Sequence, residues 1–152
     1  MRVADIMHRE VVTVAGRDTF AAAAKVLRDN GISSVVVKGE RGPAGIVTER
    51  DFVALVSDGL DPTTTTIEKR MTRDLATISP DADIADAAKV MAEQGIRHLP
   101  VVDRKKKLAG IISIRDLMTW AVEEMTGGHE LPDLVRSSAA LSAAVQVEQA
   151  SR

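Results

Sequence analysis

The chain has no cysteine. That excludes a disulfide scaffold, a thiolate zinc site and a thiol nucleophile, and it fits a reducing, cytoplasmic compartment. Aromatic residues make up 2% of the chain, so few rings are available for a ligand to stack on. Neither sign of charge dominates: a formal net charge of −2 over 152 residues gives no electrostatic reason to expect nucleic acid or membrane partners. No apolar run approaches the ~20 residues of a membrane helix. The opening MRVADIMHRE lacks the apolar stretch of a signal peptide. There is no GxxxxGK or GxGxxG phosphate loop, and no serine lies in a nucleophile elbow. His8, His98 and His129 are too far apart for helical metal-ligand spacing. What is left, 45% hydrophobic and 28% charged, reads as a globular protein of one domain or two small units.

What the sequence does contain is a repeat of itself. Residues 45–51 read GIVTERD and residues 110–116 read GIISIRD. Displaced by 64 positions, Met7 falls on Met71, Ala23-Ala24-Lys25-Val26 on Ala87-Ala88-Lys89-Val90, and Gly31-Ile32 on Gly95-Ile96. After one inserted residue in a polar turn, Gly45 meets Gly110 and Asp51 meets Asp116. Two copies of a ~55-residue unit are the main organisational feature. The first copy is assigned to 1–58 and the second to 67–126, joined by GLDPTTTT at 59–66. The Ala/Ser-rich tail, 127–152, is expected to be either a helix against a partner chain or frayed.

Each copy predicts helix, strand, polar turn, strand, helix. Asp18 is expected to cap a helix through Asn30, with Phe20, Ala24 and Leu27 inward and Gly31 as its stop. Its counterpart runs from Asp83 to Gln94, with Ile84, Ala87, Ala88 and Met91 inward and Gly95 as the stop. A last helix carries Ile114, Leu117, Met118, Ala121, Val122 and Met125 at i, i+3, i+4 spacing. Because a ~60-residue unit buries only about 60% of its extended-chain surface, the two copies are expected to pack face to face around one shared core. RKKK, at 104–107, marks a hairpin tip, read first as a solvated turn that discourages edge pairing.

The doubled phrase ends a strand and starts a helix, and it admits two readings. Thr48 and Ser113 stand where an N-cap belongs, with Asp51 and Asp116 three residues on, which is the spacing of a capping box. Alternatively, the free N–H groups of a helix start attract a phosphate, and a nearby carboxylate can accept both hydroxyls of a ribose. Gly45 and Gly110 would then let a ligand approach the backbone.

The helix, β-branched strand and Gly-apolar-apolar-Thr/Ser-x-x-Asp phrase, repeated in tandem with RHLPVVD before the second phrase, resemble a CBS-domain pair, or Bateman module, over residues 1 to 125. The resemblance implies an α/β fold in which two copies, each a small sheet packed against two helices, are related by a pseudo-two-fold axis. It implies adenosyl ligands (AMP, ADP, ATP or S-adenosylmethionine) in clefts between the copies, no required cofactor and no catalysis. By position, the first cleft would use Gly45, Ile46, Thr48 and Asp51, facing Leu75, Ala76, Ile96, Arg97, His98 and Pro100. The second would use Gly110, Ile111, Ser113 and Asp116, facing Val11, Val12, Ile32, Ser34 and Val36. Aspartate would hold ribose, Thr or Ser would touch phosphate, and aliphatic side chains would sandwich adenine. Arg97 and His98 would make the first cleft the better phosphate site.

The expectation is therefore a stand-alone, cytoplasmic regulatory module that forms a homodimer, senses an adenosine-containing ligand and passes its state to an unidentified protein target or to its own assembly. A structural dimerisation module with vestigial clefts is the alternative. Nucleic-acid binding through RKKK is the least favoured reading.

Overall fold

The structure, a computed structural model, describes residues 1–126. The expectations for 127–152 lie outside the described residues. The first motif runs α1 (Val3–Ile6), β1 (Thr13–Val14), α2 (Phe20–Asn30), β2 (Ser34–Lys38), β3 (Pro43–Thr48) and α3 (Glu49–Ser57). The second runs from a 3₁₀ turn (Ile67–Lys69) through α4 (Ile84–Gln94), β4 (His98–Val102), β5 (Leu108–Ser113) and α5 (Ile114–Met125). β1 lies parallel to β2, which pairs antiparallel with β3. β4 and β5 form the matching antiparallel pair, and a single parallel bridge from Ile78 to Val101 stands in the place of β1.

The helix ends follow from local chemistry, with one correction. Gly31 and Gly95 stop α2 and α4 at φ of 61° and 63°, a left-handed conformation that costs a Cβ-bearing residue more. Asp83 caps α4 by accepting from Ala85 N–H at 2.9 Å. In the first motif the cap is Thr19, which accepts from Ala22 N–H at 3.2 Å, and not Asp18, whose carboxylate is held by Ala15 N–H at 2.8 Å. The buried stripes are Phe20, Ala23 and Leu27 on α2 and Ile84, Ala87 and Met91 on α4. Ala24 and Ala88, expected inward, fall one helical step off those stripes and are exposed.

The core also departs from expectation. There are two apolar clusters rather than one, and each is completed by the leading segment of the other motif. Val3 and Met7 are buried with Ile84, Met91, Leu99, Ile112 and Leu117 of the second motif. Ile67 and Met71 are buried with Phe20, Leu27, Val35, Val47 and Leu55 of the first. Paired backbone bonds fasten each strap: His8 N–H to Ile111 O and Ile111 N–H to His8 O, both 2.9 Å, and the equivalent Thr72–Ile46 pair, both 3.0 Å. The linker belongs to the same exchange, since Phe20 N–H donates to Thr65 O and Ile67 N–H to Asp18 O. Exchange buries each strap on a surface its own motif could not cover, which answers the marginal size of one unit.

Candidate functional site

Both doubled phrases form capping boxes. Thr48 N–H and Ser113 N–H each donate to Oδ2 of the aspartate three residues on, at 2.7 Å, so the shorter acid still reaches back. The hydroxyls join the same oxygen, Thr48 Oγ1 at 3.1 Å and Ser113 Oγ at 2.6 Å. Each cap therefore leaves Oδ1 outside the box. On Asp116, Oδ1 meets His8 Nε2 at 2.9 Å. On Asp51, Oδ1 has no hydrogen-bond partner among the described residues.

The glycines before the phrases serve the straps. A Cβ on Gly110 would lie 2.7 Å from Met7 Sδ and 2.8 Å from His8 O, and one on Gly45 would lie 2.6 Å from Met71 Sδ and 2.9 Å from Thr72 O. The space expected to admit a ligand to the backbone is filled by the exchanged segments.

A cavity of about 880 Å³ opens between the motifs. It brings together Ile111, Ser113 and Asp116 of the second phrase with Val11, Val12, Ile32 and Ser34 of the first motif, all assigned by position to the second cleft. Two residues of that set lie elsewhere: Gly110 is covered by Met7, and Val36 is fully buried within the first sheet. Gly45, Ile46, Thr48, Asp51, Leu75, Ala76, Ile96 and Pro100 do not line this cavity.

Arg97 and His98, expected in the first cleft, line this cavity as well. The cause is register. His98 is the direct cross-strand partner of Ser113, and opposite residues of an antiparallel pair share a face. Both side chains therefore rise from the same face of that hairpin, and His98 Nε2 reaches across to the first motif, 3.0 Å from Ser33 Oγ. The basic residues join Asp116, not Asp51.

The site's protonation states follow from these contacts. Asp116 is pushed upward by burial, but hydrogen bonds from His8 and Ser113 outweigh this and hold its carboxyl below the ordinary 3.8. The bond to Asp116 raises His8 above 6.5 against the opposing effect of burial. Burial, with the Arg97 charge beside it, lowers His98 below 6.5. At neutral pH His98 is therefore a neutral donor or acceptor, and Arg97 carries the adjacent positive charge.

Several lining residues were not anticipated. Phe52 and Trp120, two of the chain's three aromatic residues, border the cavity, so rings are concentrated where the composition suggested they would be scarce. Trp120 Nε1 is buried without an acceptor among the described residues. Asp116, Thr119, Trp120 and Glu123 follow i, i+3, i+4, i+7 spacing, a signal present in the sequence once Asp116 is placed. His8 and Arg28 carried no comparable signal. Among the described residues, no three His, Asp or Glu side chains group to hold a metal ion, and no helix is long and apolar enough to cross a membrane. The RKKK tip abuts the other motif's hairpin, and Lys105 and Lys107 border a separate hollow of about 610 Å³ with Lys38 and Arg41.

The CBS-domain family profile matches residues 3–58 and 66–123. An uncharacterized protein of Methanopyrus kandleri is 36% identical over 118 residues, which are 76% of this chain and 60% of that one. A CBS domain protein from Pyrobaculum aerophilum, solved in complex with AMP, is similar with a TM-score of 0.73 and 26% identity, covering 83% of this chain and 99% of that one. The CBS domain pair of protein MJ0100, solved with 5′-methylthioadenosine and S-adenosyl-L-methionine, has a TM-score of 0.76 and 26% identity, covering 82% and 98%. Two tandem matches, on two motifs that exchange their leading straps around an inter-motif cavity, establish that the chain belongs to the CBS-domain family as a CBS-domain pair.

Proposed function

We propose that this pair is a regulatory module that binds an adenosine-containing ligand in the Asp116 cleft and converts occupancy into a change of conformation or assembly. The observation that carries the reading is the cavity of about 880 Å³, which brings a helix start, a carboxylate with an oxygen outside its cap, Arg97 and two rings to one place. The complexes of the two solved neighbours, with AMP and with methylthioadenosine and S-adenosylmethionine, support the ligand class. Asp116 would accept from ribose, Ser113 and Arg97 would meet a phosphate, and Ile111, Phe52 and Trp120 would enclose the base. The Asp51 cleft would be the weaker site, because its wall lacks the basic pair.

Calorimetry with AMP tests this. A hydrogen bond to a charged group is worth ~1.5–3 kcal/mol, so Asp116→Ala should weaken binding roughly tenfold to a hundredfold while Asp51→Ala spares the tight phase. Both variants lose an equivalent capping box, so each controls for the other's folding cost. Equal losses would refute the assignment. Trp120, the sole tryptophan, supplies a fluorescence reading of the same event.

The exposed apolar side chains of α3 and α5 favour a homodimer as well, with Val53 and Val56 at 69% and 70% exposure and Met118 at 62%. That face alone would serve the purely structural alternative, which predicts dimers that ignore every adenosyl ligand. We further propose that the pair has no turnover of its own and acts in the cytoplasm on its own assembly or on a protein target.

A further inference from the structure

We infer that His8 gates the Asp116 cleft: its imidazole occupies the one carboxylate oxygen that a ligand's vicinal diol needs, and the diol enters by displacing it. This rests on the proposal that the cleft takes an adenosine-containing ligand.

The geometry is specific. Oδ2 of Asp116 already accepts two donors, Ser113 N–H at 2.7 Å and Ser113 Oγ–H at 2.6 Å, and these start α5. A vicinal diol that donates both hydroxyls to this carboxylate needs both lone pairs of Oδ1, one of which His8 Nε2 takes at 2.9 Å. Displacement does not require the strap to leave. The His8 backbone is fastened to Ile111 by two bonds of 2.9 Å, while its side chain is 58% exposed and free to rotate toward solvent. The other motif lacks the equivalent contact. Thr72 occupies the position equivalent to His8 and makes the same paired backbone bonds to Ile46, yet nothing among the described residues meets Asp51 Oδ1. The gate therefore belongs to one cleft of the two, and the strap that carries it comes from the opposite motif.

The gate is charge-dependent. A protonated imidazole adds to its hydrogen bond with the carboxylate a Coulombic attraction that the neutral ring lacks, and the bond to Asp116 keeps His8 protonated above its ordinary 6.5. Other ionisable groups share the cavity: Arg115 and Glu123 with Asp116 on α5, Arg97 and His98 at the start of β4, Arg28 and Glu49 on the opposite wall, and Glu10 on the strap itself. Of these, His98 is the other group that titrates near neutrality, and its lowered value puts its effect in a more acidic window. Diol affinity should accordingly rise as pH climbs through the His8 value, because the neutral ring yields Oδ1 more easily.

Adenosine is the probe, since it carries the diol and no group that titrates near neutral pH. It is titrated calorimetrically into wild type, His8→Ala and His8→Gln between about pH 6 and about pH 8.5, a range that begins below the ordinary histidine value and runs well above it. Wild type should tighten about fivefold toward the alkaline end, as expected when a partly exposed ion pair loses the charge of one partner. His8→Ala and His8→Gln should match or exceed the alkaline wild-type affinity throughout and lose the rise. 2′-Deoxyadenosine, which lacks one hydroxyl, should bind more weakly to all three and show a smaller rise. Weaker adenosine binding by His8→Ala, or an unchanged pH profile, would overturn the gate and leave the cleft assignment standing. Adenosine binding by none of the three would overturn the cleft assignment and the gate together. Proton NMR of the His8 ring adds a reading that needs no ligand: titration at the ordinary histidine value in wild type would show that the contact is not held, and the gate would fall.

Discussion

Gly110 leaves no space for a side chain. Its missing Cβ would fall 2.7 Å from Met7 Sδ, which can bend away, and 2.8 Å from the His8 carbonyl oxygen, which cannot. Gly110→Ala should therefore cost about 1–3 kcal/mol of stability, as overpacking does. It should be read as a lower urea midpoint at an unchanged slope. Gly45→Ala should behave alike against Met71 and Thr72, and stability equal to wild type in both would show that the straps have room to spare. The ionisable residues of the cleft act in opposite directions with pH. Stability from His8, whose folded value is raised, is present below 6.5 and lost as pH rises through that folded value. His98, whose value is lowered by burial and by Arg97, contributes fully above 6.5, and its contribution falls away as pH drops toward its folded value. In thermal melts below pH 6.5, His98→Gln should thus lose less stability on acidification than wild type, and identical acid profiles would count against a buried neutral imidazole.

At the scale of elements, α5 carries more apolar surface than its own motif uses. Leu117 is 7% exposed and packs inward, whereas Met118 and Met125 are 62% and 86% exposed on the outer side. α3 adds Val53 and Val56, and together these side chains form a surface of the kind that marks an interaction site. Sedimentation at micromolar concentration should give twice the chain mass. Met118→Glu should shift the protein to monomer without altering its circular dichroism, because the side chain contributes nothing to either core. A monomeric wild type would remove the homodimer. The i, i+3, i+4 stripe was legible before any coordinates, but its partner was not, since amphipathic spacing says that a face is covered and leaves open what covers it. The same limit explains Ala24. Being apolar and one step from a buried stripe, it reads as core, yet it lines the cavity.

For the molecule as a whole, exchange of the straps should make the two motifs unfold as one cooperative unit. Met71 lies at the start of the second motif but is 9% exposed in the cluster of the first, and Met7 does the reverse at 8%. Met71→Ala should cost about 2–5 kcal/mol. Although the residue sits in the first motif's core, the loss should appear in full in the fluorescence of Trp120, which packs against the second. Fluorescence and far-ultraviolet circular dichroism should trace one coincident urea transition, as two-state unfolding requires. Separate transitions would show that the motifs are stable apart and that the exchange is incidental.

The repeat, the two longer helices and the hairpin of each copy, and the glycine stops are legible in the residues alone, because these depend on local rules: apolar periodicity, a glycine that accepts a left-handed conformation, and a hydroxyl and a carboxylate three residues apart at a helix start. Met7 matching Met71 and Gly45 matching Gly110 were visible as well, but not that each methionine covers the other motif's glycine. Packing between the copies settled that, since a repeat specifies what each copy contains and not which copy packs on which. It also decided the side to which Arg97 and His98 turn, because pairing with Ser113 in the β4–β5 register governs the facing of His98. His8 joins Asp116 for the same reason: residues 108 apart in the chain meet only because the strap crosses between motifs.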